Sequence, residues 1–185
     1  MRVAVYSGSF NPLHIGHLAI IERLTRDEGF DAVYLVVSPT SPFKQGQSAP
    51  SGQRRYRAAI EAVRRHPGLN VKVDDIELTL PPPQYTIRTL DALKAREPGN
   101  EFTLVVGGDQ LEAFGRWKDY SRILLEYGLV AFPRRGFDNE SLRNAYLSEN
   151  PSYRIKLCRM DMVDVSSSDI RERLSRGEDV SELLM

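Results

Sequence analysis

Ser7-Gly8-Ser9-Phe10-Asn11-Pro12-Leu13-His14-Ile15-Gly16-His17 joins an apolar run, Arg2 to Tyr6, to an amphipathic segment that begins near Ile15. The run reads as a strand and the segment as a helix, with small residues turning the corner between them. His14 and His17 stand three apart at the helix start. Three residues of α-helix turn the chain by about 300°, so the two imidazoles share a face. A helix N-terminus carries unpaired N–H groups and a partial positive charge. With two ring N–H donors beside it, this turn suits a phosphate chain.

Working outward, the same alternation continues. Asp31 to Ser38 reads as a buried strand, Gly52 to Arg65 as a helix stopped by His66-Pro67-Gly68, and Asn70 to Asp74 as a short strand. Ile76 to Leu80 reads as an extended piece before Pro81-Pro82-Pro83, and Thr86 to Arg96 as a helix. Glu101 to Val106 is a strand followed by Gly107-Gly108-Asp109, with a short helix near Gln110. Tyr120 to Leu125 is helical, Gly128 to Phe132 a strand, Asn139 to Glu149 a helix and Arg154 to Arg159 the last strand. Ser168 to Arg176 closes the chain as a helix, with a further turn near Val180 to Leu184. Strand and helix in alternation predict an α/β fold, a Rossmann-like doubly wound parallel sheet with helices on both faces. Ligands of such sheets sit beyond the carboxyl ends of the strands, where Ser7-Gly8 and Gly107-Gly108-Asp109 both lie. No repeat or long linker divides residues 1–185, so one domain is expected, with the helical portion from about 166 to 185 packed on it.

Composition narrows the partners. The 185 residues carry 25 Lys plus Arg against 25 Asp plus Glu, a net charge of zero, which disfavours a nucleic-acid surface. No signal core or run of eighteen apolar residues is present, so a cytoplasmic protein with no membrane partner is expected. Cys158 is the lone cysteine, so no intrachain disulfide forms, and its apolar neighbours point to a buried strand thiol. No heptad run or long exposed apolar helix marks an oligomer interface.

Absent motifs rule out one common site and weaken two others. There is no Gly-x-x-x-x-Gly-Lys-Ser/Thr loop, and no Gly-x-Gly-x-x-Gly after the first strand. A zinc site from His14 and His17 lacks an evident third ligand, since His66 reads as a helix-end residue. No protein metal cage is therefore expected. Near the other end, Ser166, Ser167 and Ser168 precede a helix that carries Arg171 in its first turn. One serine suffices to cap the helix. Three, with a guanidinium beside them, suit phosphate oxygens.

Gly8-Ser9-Phe10-Asn11-Pro12-Leu13-His14-Ile15-Gly16-His17 resembles the Gly-(Ser/Thr)-Phe-(Asp/Asn)-Pro-x-His-x-Gly-His signature of the nucleotidyltransferase superfamily. Val165-Ser166-Ser167-Ser168-Asp169-Ile170-Arg171 is similar to that superfamily's Ile-Ser-Ser-Thr-x-Ile-Arg element. Between them, Gln84-Tyr85-Thr86-Ile87-Arg88-Thr89-Leu90 and Val106-Gly107-Gly108-Asp109-Gln110-Leu111, with Trp117-Lys118, resemble stretches of the nicotinate mononucleotide adenylyltransferases. The resemblance brackets nearly the whole chain. It departs at Phe43, where the family carries histidine in a Pro-His-Lys element; Lys44 is retained. Arg54 and Arg57 fall where the family carries arginine, and read equally well as a solvated helix face.

That resemblance implies a set of roles. His14, His17, Lys44 and Arg171 would act on the phosphates. Gly8, Ser9, Phe10, Gly16, Gly107, Asp109, Ser167 and Ser168 would bind ATP. Thr86, Trp117 and Lys118 would bind a pyridine mononucleotide, with the indole stacked on its ring. Mg²⁺ would arrive with ATP. The attacking phosphate monoester has a second pKa near 6, so no general base is required. Catalysis would rest on in-line positioning and charge stabilisation, with an imidazole able to protonate next to the triphosphate. Transfer to nicotinamide mononucleotide, a non-catalytic nucleotide-binding module and a metal-dependent hydrolase are the alternatives.

Overall fold

The computed structural model describes residues 1–39 and 50–185. Among them, six parallel strands form one sheet: β1 (Arg2–Gly8), β2 (Ala32–Val37), β3 (Val71–Asp74), β4 (Glu101–Gly107), β5 (Leu129–Phe132) and β6 (Ile155–Leu157). Their order is β3-β2-β1-β4-β5-β6. The helices are α1 (Ile15–Arg26), α2 (Gly52–Arg64), α3 (Ile76–Thr79), α4 (Thr86–Arg96), α5 (Gly108–Ala113), α6 (Tyr120–Glu126), α7 (Asn139–Glu149) and α8 (Ser167–Ser175), with 3₁₀ turns at Phe114–Arg116 and Ser181–Leu183. The chain walks from β1 out to β3, then returns through α4 to lay β4 on the other side of β1. Strand order reverses there, and the crevice for a ligand opens at the carboxyl ends of β1 and β4.

Every residue of β2 is buried, as a central strand covered on both faces requires. Alternate side chains feed two cores. Val3, Val5, Tyr34, Val36, Leu104 and Val106 pack with α4 and α6 through Leu90, Leu93, Ile123 and Leu124. Ala4, Tyr6, Val33, Leu35, Val105 and Val130 pack with α1 and α2 through Ile20, Ile21, Leu24 and Ala59. The sheet is thereby fixed between two helical layers, and its strand ends form a rigid base for the site.

Two expected elements differ. Ile76 to Leu80 is a single helical turn rather than an extended piece. The Asp74 carboxylate accepts from the Ile76 N–H, and Thr79 Oγ1 donates to the Ile76 carbonyl, so local polar bonds close the turn. This places Ile76 in the core and buries Glu77. The last strand is shorter than Arg154 to Arg159, because β5 offers only Leu129 to Ala131 for pairing before Pro133 ends it. Cys158 lies just past β6, 5% exposed, and burial pushes its thiol up to about 11. It is an inert core thiol.

The final segment folds back on the first. Ser167 Oγ donates to the Pro12 carbonyl at 2.9 Å, and Arg171 donates to the Asn11 carbonyl at 2.8 Å. Leu184 bridges His14 in antiparallel fashion, and Met185 is buried beside Leu13. No helix among the described residues is long and apolar enough to cross a membrane.

Candidate active site

The turn after β1 is shaped by Phe10, which takes a left-handed backbone (φ 45°) and tucks its ring underneath. That ring meets Tyr6 edge-on at 5.5 Å and His17 at 5.4 Å, and is 4% exposed. It therefore supports the His17 ring from below, with little surface of its own for a ligand. His14 is the N-cap of α1 and its Nδ1 accepts from the Gly16 N–H at 3.1 Å. His17 Nδ1 accepts from the His14 N–H, also at 3.1 Å. A backbone N–H can only donate, so each ring carries its proton on Nε2, away from the helix cap. The ring centroids lie 3.8 Å apart. Gly16 is required between them, since a Cβ there would sit 2.9 Å from the His14 ring.

Burial and the neighbouring Arg134 cation lower the His14 imidazole to about 4. Burial, His14 and Arg134 lower His17 to about 3. Both rings are neutral N–H donors near pH 7. Protonation beside a bound triphosphate would have to overcome both causes.

Three adjoining cavities cross the strand ends. The first, about 340 Å³, is lined by His14, Gly16, His17, Asp109, Arg134 and the 160–166 segment. The second, about 200 Å³, is lined by Gly8, Ser9, Phe10, His17, Arg134 and Ser167. It shares Tyr6, His17, Asp109, Phe132 and Arg134 with the first. The third, about 490 Å³, holds Thr86 and Trp117 and shares Ser7, Gly8 and Gln110 with the second. His17 thus stands at the joint between the first cavity and the middle of the row.

The residues expected at the site distribute unevenly. His14, His17, Gly8, Ser9, Phe10, Gly16, Asp109 and Ser167 line the first two cavities, and Thr86 and Trp117 the third. Gly107 lies behind the wall, where its N–H donates to Gln110 Oε1 and a Cβ would meet Asp109 at 2.7 Å. Ser166 is the cap of α8, accepting from the Asp169 N–H. Ser168 accepts from Arg171, whose guanidinium also holds the Asn11 carbonyl, so both brace the turn. Lys118 lines none of the three cavities and lies 3.7 Å from Asp119, more than half exposed. Lys44 lies outside the described residues. Arg54 and Arg57 are exposed on α2. Among the described residues no three His, Cys, Asp or Glu side chains gather as a metal site.

Two arginines escape a motif reading. Arg134 follows β5, its guanidinium 5.1 Å over the Phe132 ring and 3.8 Å from Asp109. A cation two residues past a buried strand was the available signal. Arg55 is 4% exposed and donates to the carbonyls of Ser9 (2.6 Å), Ser38 (2.7 Å) and Pro50 (3.2 Å). Its helical phase with buried Ala59 and Ala62 marks it as inward, unlike its neighbours.

The sequence and the fold are similar to those of known proteins. The cytidylyltransferase-like family model matches residues 5–173. A probable nicotinate-nucleotide adenylyltransferase of Bacteroides fragilis is 35% identical, covering 99% of this chain and 87% of its own. Its Flavobacterium psychrophilum counterpart is 32% identical, over 100% and 92%. The fold is similar to Plasmodium falciparum nicotinic acid mononucleotide adenylyltransferase complexed with NaAD, with a TM-score of 0.76 and 18% identity over 98% of this chain and 87% of that one.

Proposed function

The chain belongs to the nicotinate-nucleotide adenylyltransferase family, and from that premise we propose that it transfers AMP from ATP to nicotinate mononucleotide, giving deamido-NAD and pyrophosphate. The observation that carries the reading is the row of three cavities with His17 at its joint. ATP takes the first two, its α-phosphate over the Gly8–Ser9 turn. The mononucleotide takes the third, its ring against Trp117.

In the reaction a 5′-phosphate oxygen bonds to the α-phosphorus of ATP. The bond from that phosphorus to the bridging oxygen breaks, and pyrophosphate leaves. The Nε2–H donors of His14 and His17 hydrogen-bond to phosphate oxygens as their charge redistributes. Arg134 supplies the fixed positive charge. A divalent ion, Mg²⁺, would enter on the triphosphate with water as its remaining ligands and would lower the repulsion between the two anions.

The Tyr85 cap of α4 makes no side-chain cap bond, so the first N–H groups of that helix, beside Thr86 at the third cavity, are available to an anion. That favours the pyridine carboxylate over the carboxamide. A pyrophosphate-release assay with ATP tests the reading. Turnover with nicotinate mononucleotide at least tenfold above nicotinamide mononucleotide is expected, about the discrimination one misplaced polar group gives. The reverse preference would sink it. Use of ATP suits the cytoplasm.

A further inference from the structure

Three acidic side chains among the described residues are buried: Glu28, Asp74 and Glu77. Glu28 pairs with Lys156 at 2.8 Å and Arg23 at 3.4 Å. Asp74 pairs with Arg96 and with Lys72. Glu77, 6% exposed, has no cationic partner among the described residues. Its Oε1 accepts from Ser7 Oγ at 3.0 Å and from Thr89 Oγ1 at 3.1 Å. Hydroxyl donors orient a carboxylate but leave its charge uncompensated, and such burial is costly.

Glu77 lines the third cavity, the one that also holds Trp117 and Thr86. No lysine, arginine or second acid lines that cavity among the described residues, so the one charge they place there is negative. A cavity of this kind, with an indole on its wall, suits a flat cation. The ring of a pyridine mononucleotide is such a group, because glycosylation at the ring nitrogen leaves a fixed positive charge. We propose that Glu77 is the counter-charge for the pyridinium ring and selects a cationic ring over a neutral one. The proposal rests on reading the third cavity as the mononucleotide site.

The surrounding bonds hold the carboxylate for this role. Ser7 Oγ donates to Glu77, so Ser38 Oγ, 3.0 Å away, donates to Ser7 in turn. Thr89 approaches from one turn beyond Thr86 on α4. Glu77 is thereby tied to β1 and α4 directly and, through Ser7, to Ser38 just past β2. Nicotinate and nicotinamide mononucleotides carry the same ring charge, so this contact with the ring does not separate them; the helix N–H groups beside Thr86 do.

The test compares equilibrium binding of nicotinate mononucleotide with that of its 1,4-dihydro form, whose ring is neutral. The proteins are the intact chain and its Glu77→Gln and Glu77→Asp variants. Wild type is expected to favour the pyridinium form, and Glu77→Gln to lose about tenfold of that preference, the scale of one partly screened charge contact. Glu77→Asp should retain most of it, and ATP binding should be unchanged in both. The difference between proteins cancels any effect of ring shape. Equal weakening of both ring forms by Glu77→Gln would overturn the assignment, as would wild-type protein binding the two forms alike, a result that needs no folded variant. Wild-type protein that turns over neither pyridine mononucleotide would instead overturn the reading of the site itself.

Discussion

The backbone N–H of His14 donates to Nδ1 of His17 at 3.1 Å, and so one histidine's main chain fixes the tautomer of the other's ring. The proton on His17 Nε2 is therefore in place before any ligand arrives. His17→Ala should lower kcat by about 100-fold or more, the scale of removing a preorganised donor. Steady-state pyrophosphate release, with a thermal melt to confirm folding, checks it.

The same two imidazoles make the fold sensitive to acid. Each is held well below its unfolded value of about 6.5, His14 at about 4 and His17 at about 3. Below pH 6.5 the unfolded chain takes up protons that the folded chain refuses, so stability falls as pH drops from about 6.5 toward 4. Urea melts at pH 7.5 and pH 5 should show the loss. His17→Gln, which cannot titrate, should show less of it.

Arg134 carries positive charge into the two cavities assigned to ATP while resting on Phe132. Arg134→Gln should raise KM for ATP about tenfold and leave KM for the mononucleotide near its normal value. It should also let the His14 and His17 rings titrate at higher pH, because the guanidinium is one cause of their low values. Steady-state kinetics and imidazole NMR titration read the two effects separately.

Trp117 is in contact with Phe114, their ring centroids 4.8 Å apart, and turns its remaining surface to the third cavity. Trp117→Ala should raise KM for nicotinate mononucleotide at least tenfold and change KM for ATP little. A matched rise in both constants would remove the stacking role.

Arg55 joins three carbonyls from three segments. Arg55→Met leaves those acceptors without donors and should cost about 3 kcal/mol of stability. Arg55→Lys cannot fork to three acceptors and should recover only part of it. Chemical denaturation measures both.

Fold and site were legible to different depths. The buried apolar runs and the helical phases between them mark the parallel sheet, because strands covered on both faces leave continuous Val-Leu-Tyr stretches such as Ala32–Val37. The helical turn at Ile76 was hidden, since four residues are too few for periodicity and its closure depends on the Asp74 carboxylate. With it went Glu77, which an extended reading places on no particular face. Arg171 and Ser168 carry the motif but brace the turn through each other and Asn11, a geometry that spacing does not display. Arg134 belongs to no quoted motif, and only the sheet order brings the end of β5 beside His17.

The hydrogen bonds from Ser167 to Pro12 and from Arg171 to Asn11 span 155 and 160 residues of chain. Contacts of such separation form late and slow the search for the native state. During synthesis the histidine-bearing turn leaves the ribosome 155 residues ahead of the serine that clasps it. Until the helix carrying that serine has been made the turn lacks its brace, and the phosphate site proposed there should not form.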